Sequence, residues 1–179
     1  KFLLFKSKRN LKEKFALDNF REHISDEDCM FYFHTKGVSR VNNSSCGHTP
    51  ESYNGWRSVL NYYIIDKWRV NLKLLEKFDA VGCFMTQWPV YHFSGNFWWV
   101  YINYIMDLPS CENHYLAPEM WLAPNFSNNF VSLANNDKRS PDAHLTRTDE
   151  DILKNITTSA LNNKQFKKTK FYKKYYHDK

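Results

Sequence analysis

Cys29-Met30-Phe31-Tyr32-Phe33 and Asp79-Ala80-Val81-Gly82-Cys83-Phe84 are the stretches whose reading decides the fold. The first is a continuous apolar run of strand length, which suits a strand buried on both faces. The second reads as another buried strand. Between them Thr49-Pro50-Glu51 makes a helix start, with a capping hydroxyl, a proline in the first turn and an acid near the positive end of the dipole. Trp56, Leu60, Tyr63, Ile64, Trp68, Leu72 and Leu75 then recur at helical spacing, so one helix running to about Lys77 is expected to lay an apolar stripe on the core. Strand, long helix and strand in succession predict a mostly parallel α/β sheet flanked by helices.

Outward from this unit, Leu11 to Arg21 reads as an amphipathic helix with Leu11, Phe15, Leu17 and Phe20 as its apolar positions. Phe93 to Val100 is strand-like, Tyr101 to Leu108 helical, Pro118 to Leu122 a short helix or turn, and Val131 to Ala134 a last short strand. After Asn135 the pattern decays. The expected division is an α/β domain over residues 1–135 and a polar to basic extension over 136–179, with 163–179 flexible. Thr148-Asp149-Glu150-Asp151 has the form of a capping box.

The chain has 179 residues, enough for one domain with a real core, and 42% hydrophobic against 25% charged residues is a globular balance. Its net charge of +6 is confined to the end. From Leu161 onward there are seven lysines and one acid, Asp178, so residues 1–160 are neutral with 18 basic and 18 acidic side chains. The basicity belongs to a tail, and nucleic acid is not an expected partner of the domain. Cys29, Cys46, Cys83 and Cys111 form no CxxC pair, which favours a reducing, cytoplasmic compartment. Ala80 to Met106 lacks charges, but Gln87, Pro89, His92, Ser94, Asn96 and Asn103 interrupt it, so no membrane span is expected.

Two clusters join aromatic runs to polar groups and a glycine: Phe31-Tyr32-Phe33-His34-Thr35-Lys36-Gly37 and His92-Phe93-Ser94-Gly95-Asn96-Phe97-Trp98-Trp99. In open α/β sheets ligands bind beyond the carboxyl ends of the strands, which is where His34 to Gly37 lies. Lys36 and Arg40 could neutralise phosphates there, and His34 and Thr35 could bond a sugar or phosphate oxygen. A polar loop cap is the competing reading. Asp26-Glu27-Asp28 lies at the opposite strand end, which argues against it as a metal site. His34, Cys46 and His48 lack the paired spacing of structural zinc. Ser94 has no Gly-x-Ser-x-Gly elbow around it, so a hydrolase nucleophile is not expected. A loop presenting a backbone amide, Ser94 and Asn96 beside an aromatic platform suits a carbohydrate, against the alternative that Phe97, Trp98 and Trp99 are ordinary core. Glu119, in Ala117-Pro118-Glu119-Met120-Trp121, is an acid in an apolar setting that could suit base catalysis; a plain surface glutamate is the alternative.

The order Tyr-x-His-Thr-Lys-Gly, Trp56-Arg57, Asp79-Ala80-Val81-Gly82, His-Phe-Ser-Gly-Asn-Phe-Trp-Trp and Glu119-x-Trp121 resembles a family of small glycosyltransferase-like proteins of the nucleotide-sugar (GT-A) type, found in viruses, bacteria and microbial eukaryotes. The resemblance runs from about Cys29 to Leu122. It implies a Rossmann-like α/β domain that transfers a sugar from a nucleotide sugar to a glycan or glycoprotein acceptor. His34, Thr35, Lys36, Gly37 and Arg40 would meet the donor and its phosphates. His92, Ser94, Gly95 and Asn96 would meet the transferred or acceptor sugar, with Trp98 as a stacking wall, and Glu119 would be the general base. All would line one cleft. Two departures follow. No Asp-x-Asp stands where a divalent metal such as manganese would be held, and the chain begins too late for the usual first strand and base pocket, which implies an N-terminally incomplete domain. A non-catalytic carbohydrate-binding or scaffold domain, and a binder of anionic polymers through the tail, are the alternatives.

Overall fold

A computed structural model of the chain describes residues 12–24, 29–34, 50–86, 91–123, 129–134 and 148–153. In chain order the elements are helix α1 (Lys12–Asn19) with a 3-10 turn (Phe20–His23), strand β1 (Cys29–Tyr32), α2 (Pro50–Leu60), a π-helical segment (Asn61–Asp66) and α3 (Trp68–Leu75). Then come β2 (Ala80–Gly82), β3 (Met85–Thr86), β4 (His92–Phe93), β5 (Trp98–Tyr101), α4 (Ile102–Met106), α5 (Ala117–Met120) and β6 (Phe130–Ser132). A helical turn at 149–153 ends the described chain.

The sheet corrects the expectation of a mostly parallel, Rossmann-like GT-A layer. Its order is β1-β5-β2-β6, and β5 runs antiparallel to both β1 and β2. Among the described residues only β2 and β6 pair in parallel. β1 and β2 do point the same way and the helices do connect them, but β5 inserts between them, as in a split β-α-β arrangement. Side-chain stacking accounts for the insertion. In the β1–β5 register Phe31 faces Trp99 and Tyr32 faces Trp98, and these ring pairs stack at 4.9 Å and 4.8 Å. Cross-strand aromatic pairs of this kind stabilise a sheet by up to about 1 kcal/mol each. The apolar runs that read as parallel strands have another cause: both faces of this mixed sheet are covered.

Residues alternate across the sheet with the period of two that a strand imposes. Phe31, Val81, Trp99 and Val131 pack on the α2/α3 side with Leu60, Tyr63, Ile64, Leu74 and Leu75. Met30, Tyr32, Ala80, Trp98, Val100 and Phe130 pack on the other side with α1, α4 and α5, through Leu17, Phe20, Ile105, Ala117 and Trp121. On that side the Arg21 guanidinium donates to the carbonyls of Ile105 (3.0 Å) and Leu108, capping α4, while it lies over the rings of Phe20 and Trp121.

The helix between β1 and β2 is not continuous. The π-helical segment adds a residue to the turn and shifts the phase of the apolar stripe. Trp68, placed in that stripe by its spacing, is accordingly 40% exposed, with the Arg69 guanidinium over its ring. The carbonyls released by the π turn are bonded elsewhere: Asn71 Nδ2 donates to Tyr63 O and Ile64 O, and Trp99 Nε1 donates to Ile64 O at 2.7 Å.

The core reaches past residue 135. Ile152 is 2% exposed within the α2/α3 cluster, and Lys67 pairs with Asp149 at 2.6 Å. The turn carrying Ile152 starts on the expected capping box, with Asp151 N donating to Thr148 Oγ1 and Thr148 N to Asp151 Oδ2, both at 3.2 Å.

Candidate functional site

β1, β2 and β6 all end on one side of the molecule, and antiparallel β5 begins there, so the segments after β1 and before β5 meet. Phe93–Asn96 is a β-turn closed by Asn96 N donating to Phe93 O at 2.9 Å. Gly95 occupies its third position with φ +99°, which glycine takes without strain. A Cβ at Gly95 would also stand 2.9 Å from Leu60 Cδ1 and 3.3 Å from Trp56 Cζ2, so α2 packs directly against the turn. Asn96 follows at φ +55°, a conformation that asparagine tolerates better than most residues. Ser94 N donates to Phe84 O, which ties the turn to the chain leaving β2.

His34 bridges the two motifs. Its Nε2 lies 2.9 Å from Gly95 O and its Nδ1 3.4 Å from Glu13 Oε1 on α1. Glu13 is the hub of this network and was not among the residues expected from the sequence. Its Oε2 accepts from Asn96 Nδ2 at 2.6 Å and from the Tyr32 hydroxyl at 3.3 Å. Asn96 Oδ1 in turn accepts from Trp98 Nε1 at 2.7 Å. Burial, with the Glu13 charge adding to it, pushes the Tyr32 phenol far above the ordinary tyrosine range and keeps it a donor.

These bonds change the expected roles of two residues. Asn96 is 1% exposed with both ends of its amide engaged, and Trp98 is 1% exposed between Tyr32 and Trp121. Asn96 therefore holds the turn, and Trp98 is a core residue in place of the expected stacking wall. Ser94 is partly exposed in the same turn.

At the start of the turn His92 is buried, with Nε2 4.0 Å from Glu119 Oε2 on α5. Glu119 thus stands on the sheet face shared by α1 and α5, the face on which Tyr32 and Trp98 pack. Segment 92–96 is held at one end by Glu13 through Asn96, and at the other His92 faces Glu119 at 4.0 Å. Thr35, Lys36, Gly37 and Arg40 lie outside the described residues, as do Asp26, Asp28, Cys46 and His48. The structure therefore brings together His34, Gly95 and Asn96 through Glu13, with Ser94 in the same turn, and pairs His92 with Glu119.

Among the described residues no three His, Cys, Asp or Glu side chains converge as a metal-holding group. No described helix is long and apolar enough to cross a membrane. Comparisons with family models, curated proteins and solved structures find no match for the chain.

Proposed function

We propose that the protein handles a carbohydrate, as a glycosyltransferase-like protein that moves a sugar from a nucleotide-sugar donor to a glycan or glycoprotein acceptor. The observation that carries this reading is the hydrogen bond between His34 Nε2 and Gly95 O. It joins, across 61 positions of sequence, the two motifs on which the resemblance rests. The antiparallel character of the sheet withdraws the fold-level argument, so the reading stands on these motifs and their meeting point.

In this proposal Ser94 contributes a hydroxyl to the bound sugar. Glu119 takes the proton of an acceptor hydroxyl as that oxygen attacks the anomeric carbon, and His92 steadies the carboxylate. Lys36 and Arg40 stabilise charge on the departing nucleoside diphosphate. No step runs through a metal held by described residues. A non-catalytic carbohydrate-binding domain is the second reading, favoured by the full internal bonding of Asn96, which holds the turn rigid without requiring chemistry.

Titration calorimetry of the protein with UDP-glucose, UDP-galactose and GDP-mannose, each with and without manganese, tests the proposal. Saturable binding of a nucleotide sugar supports it, and turnover of the bound donor separates the transferase from the binding domain. Absence of binding by every donor under both conditions contradicts it.

A further inference from the structure

We propose that Glu13 is the positioning residue of the carbohydrate site, a role that rests on the functional reading above. Two donors from two other parts of the chain converge on its carboxylate, the Asn96 amide at 2.6 Å and the Tyr32 hydroxyl at 3.3 Å, and the His34 ring stands beside it with Nδ1 3.4 Å from Oε1. Asn96 sits in a left-handed conformation next to Gly95, whose carbonyl is in turn held by His34. Glu13 thereby fixes both sides of the turn that carries Ser94, as well as the histidine from which Thr35 and Lys36 continue. Hydrogen bonds to an ionised group are the strong ones, so a single carboxylate can hold a turn that contains two consecutive positive φ angles. Glu13 itself is withdrawn from a ligand by these partners and acts through Ser94 and His34.

The geometry allows the donor and acceptor across the pair to be exchanged. Asn96→Asp keeps an oxygen for Trp98 Nε1 but sets a second carboxylate against Glu13. Glu13→Gln supplies an amide that can donate to it. Affinity for whichever nucleotide sugar the wild-type protein binds should fall about tenfold or more in each single variant, the size expected when a hydrogen bond to a charged group is lost. In Glu13→Gln/Asn96→Asp it should return to within about threefold of wild type, as a coupled pair requires. Thermal melts of all four proteins establish that they are folded, and the Trp98 indole N–H resonance should move in each single variant and return in the double. Single variants that bind as wild type does, or a double variant no better than the singles, overturn the positioning role. If the wild-type protein binds none of the donors, the functional reading fails. The indole resonance still decides whether Glu13 holds the turn: no displacement in Glu13→Gln means that it does not.

Discussion

Gly95 combines a φ of +99° with a Cβ position 2.9 Å from Leu60, so both backbone and packing exclude a side chain. Gly95→Ala should cost about 2 kcal/mol of stability, as overpacking typically does, and urea unfolding should show a lowered midpoint. An unchanged midpoint would mean that α2 does not press on the turn. Cys111 gives a pH dependence of defined sign. Burial pushes its thiol from 9.0 up to about 11, against the pull of Lys14. A folded-state value above the unfolded one means that the folded protein holds this proton more tightly. Its stabilisation is thus fully present below about pH 9 and is lost as the pH rises through 11. Stability measured across that window should fall more in the wild-type protein than in Cys111→Ala; equal losses would assign the alkaline change to other groups. At this scale the glycine and polar residues of the turn were legible in the sequence, because glycine beside aromatic runs marks close backbone approach. Glu13 was not. It lies between Lys12 and Lys14 and has the look of a solvated helix face, and nothing local connects it to Asn96, 83 positions away.

The interrupted crossover helix makes Asn71 an element-level requirement. Its amide holds carbonyls that the π-helical segment sets free, in a fully buried position. Asn71→Ala would leave those carbonyls without this donor, and chemical denaturation should register a loss of about 2–3 kcal/mol. A loss no larger than that of an exposed substitution on α3 would show that the π-helical segment does not depend on Asn71. Periodicity could not reveal this break, because one added residue shifts the phase without altering the apolar composition. Trp68 shows the consequence: it is spaced for the core and exposed in the fold. The strands were legible for a related reason. Packing on both faces, complete for Ala80–Gly82 and partial for the edge strand Cys29–Tyr32, makes these strands apolar whichever direction their neighbour runs. The neighbour itself was not legible, since the pairing of Phe31 with Trp99 and Tyr32 with Trp98 spans 68 and 66 positions of sequence.

Among the described residues two helical layers cover a small mixed sheet, and the segment that starts at residue 148 completes one of them. Ile152→Ala should therefore destabilise the entire fold by about 2–4 kcal/mol, as deletion of a buried aliphatic side chain does, and the loss should appear as a lowered melting temperature. An unchanged melt would restore the boundary expected at residue 135. That boundary looked natural because residues 136–151 are polar and one buried isoleucine leaves little trace in a hydrophobic pattern. The proposed site lies where two motifs distant in sequence come together, and the account depends on that meeting. The most direct test is residue-resolved NMR of the protein titrated with the nucleotide sugars and manganese. The account predicts saturable shifts concentrated at His34, Ser94, Gly95, Asn96 and Glu119, with the α3 surface around Trp68 unmoved. Shifts concentrated elsewhere, or none at saturating donor, would contradict it.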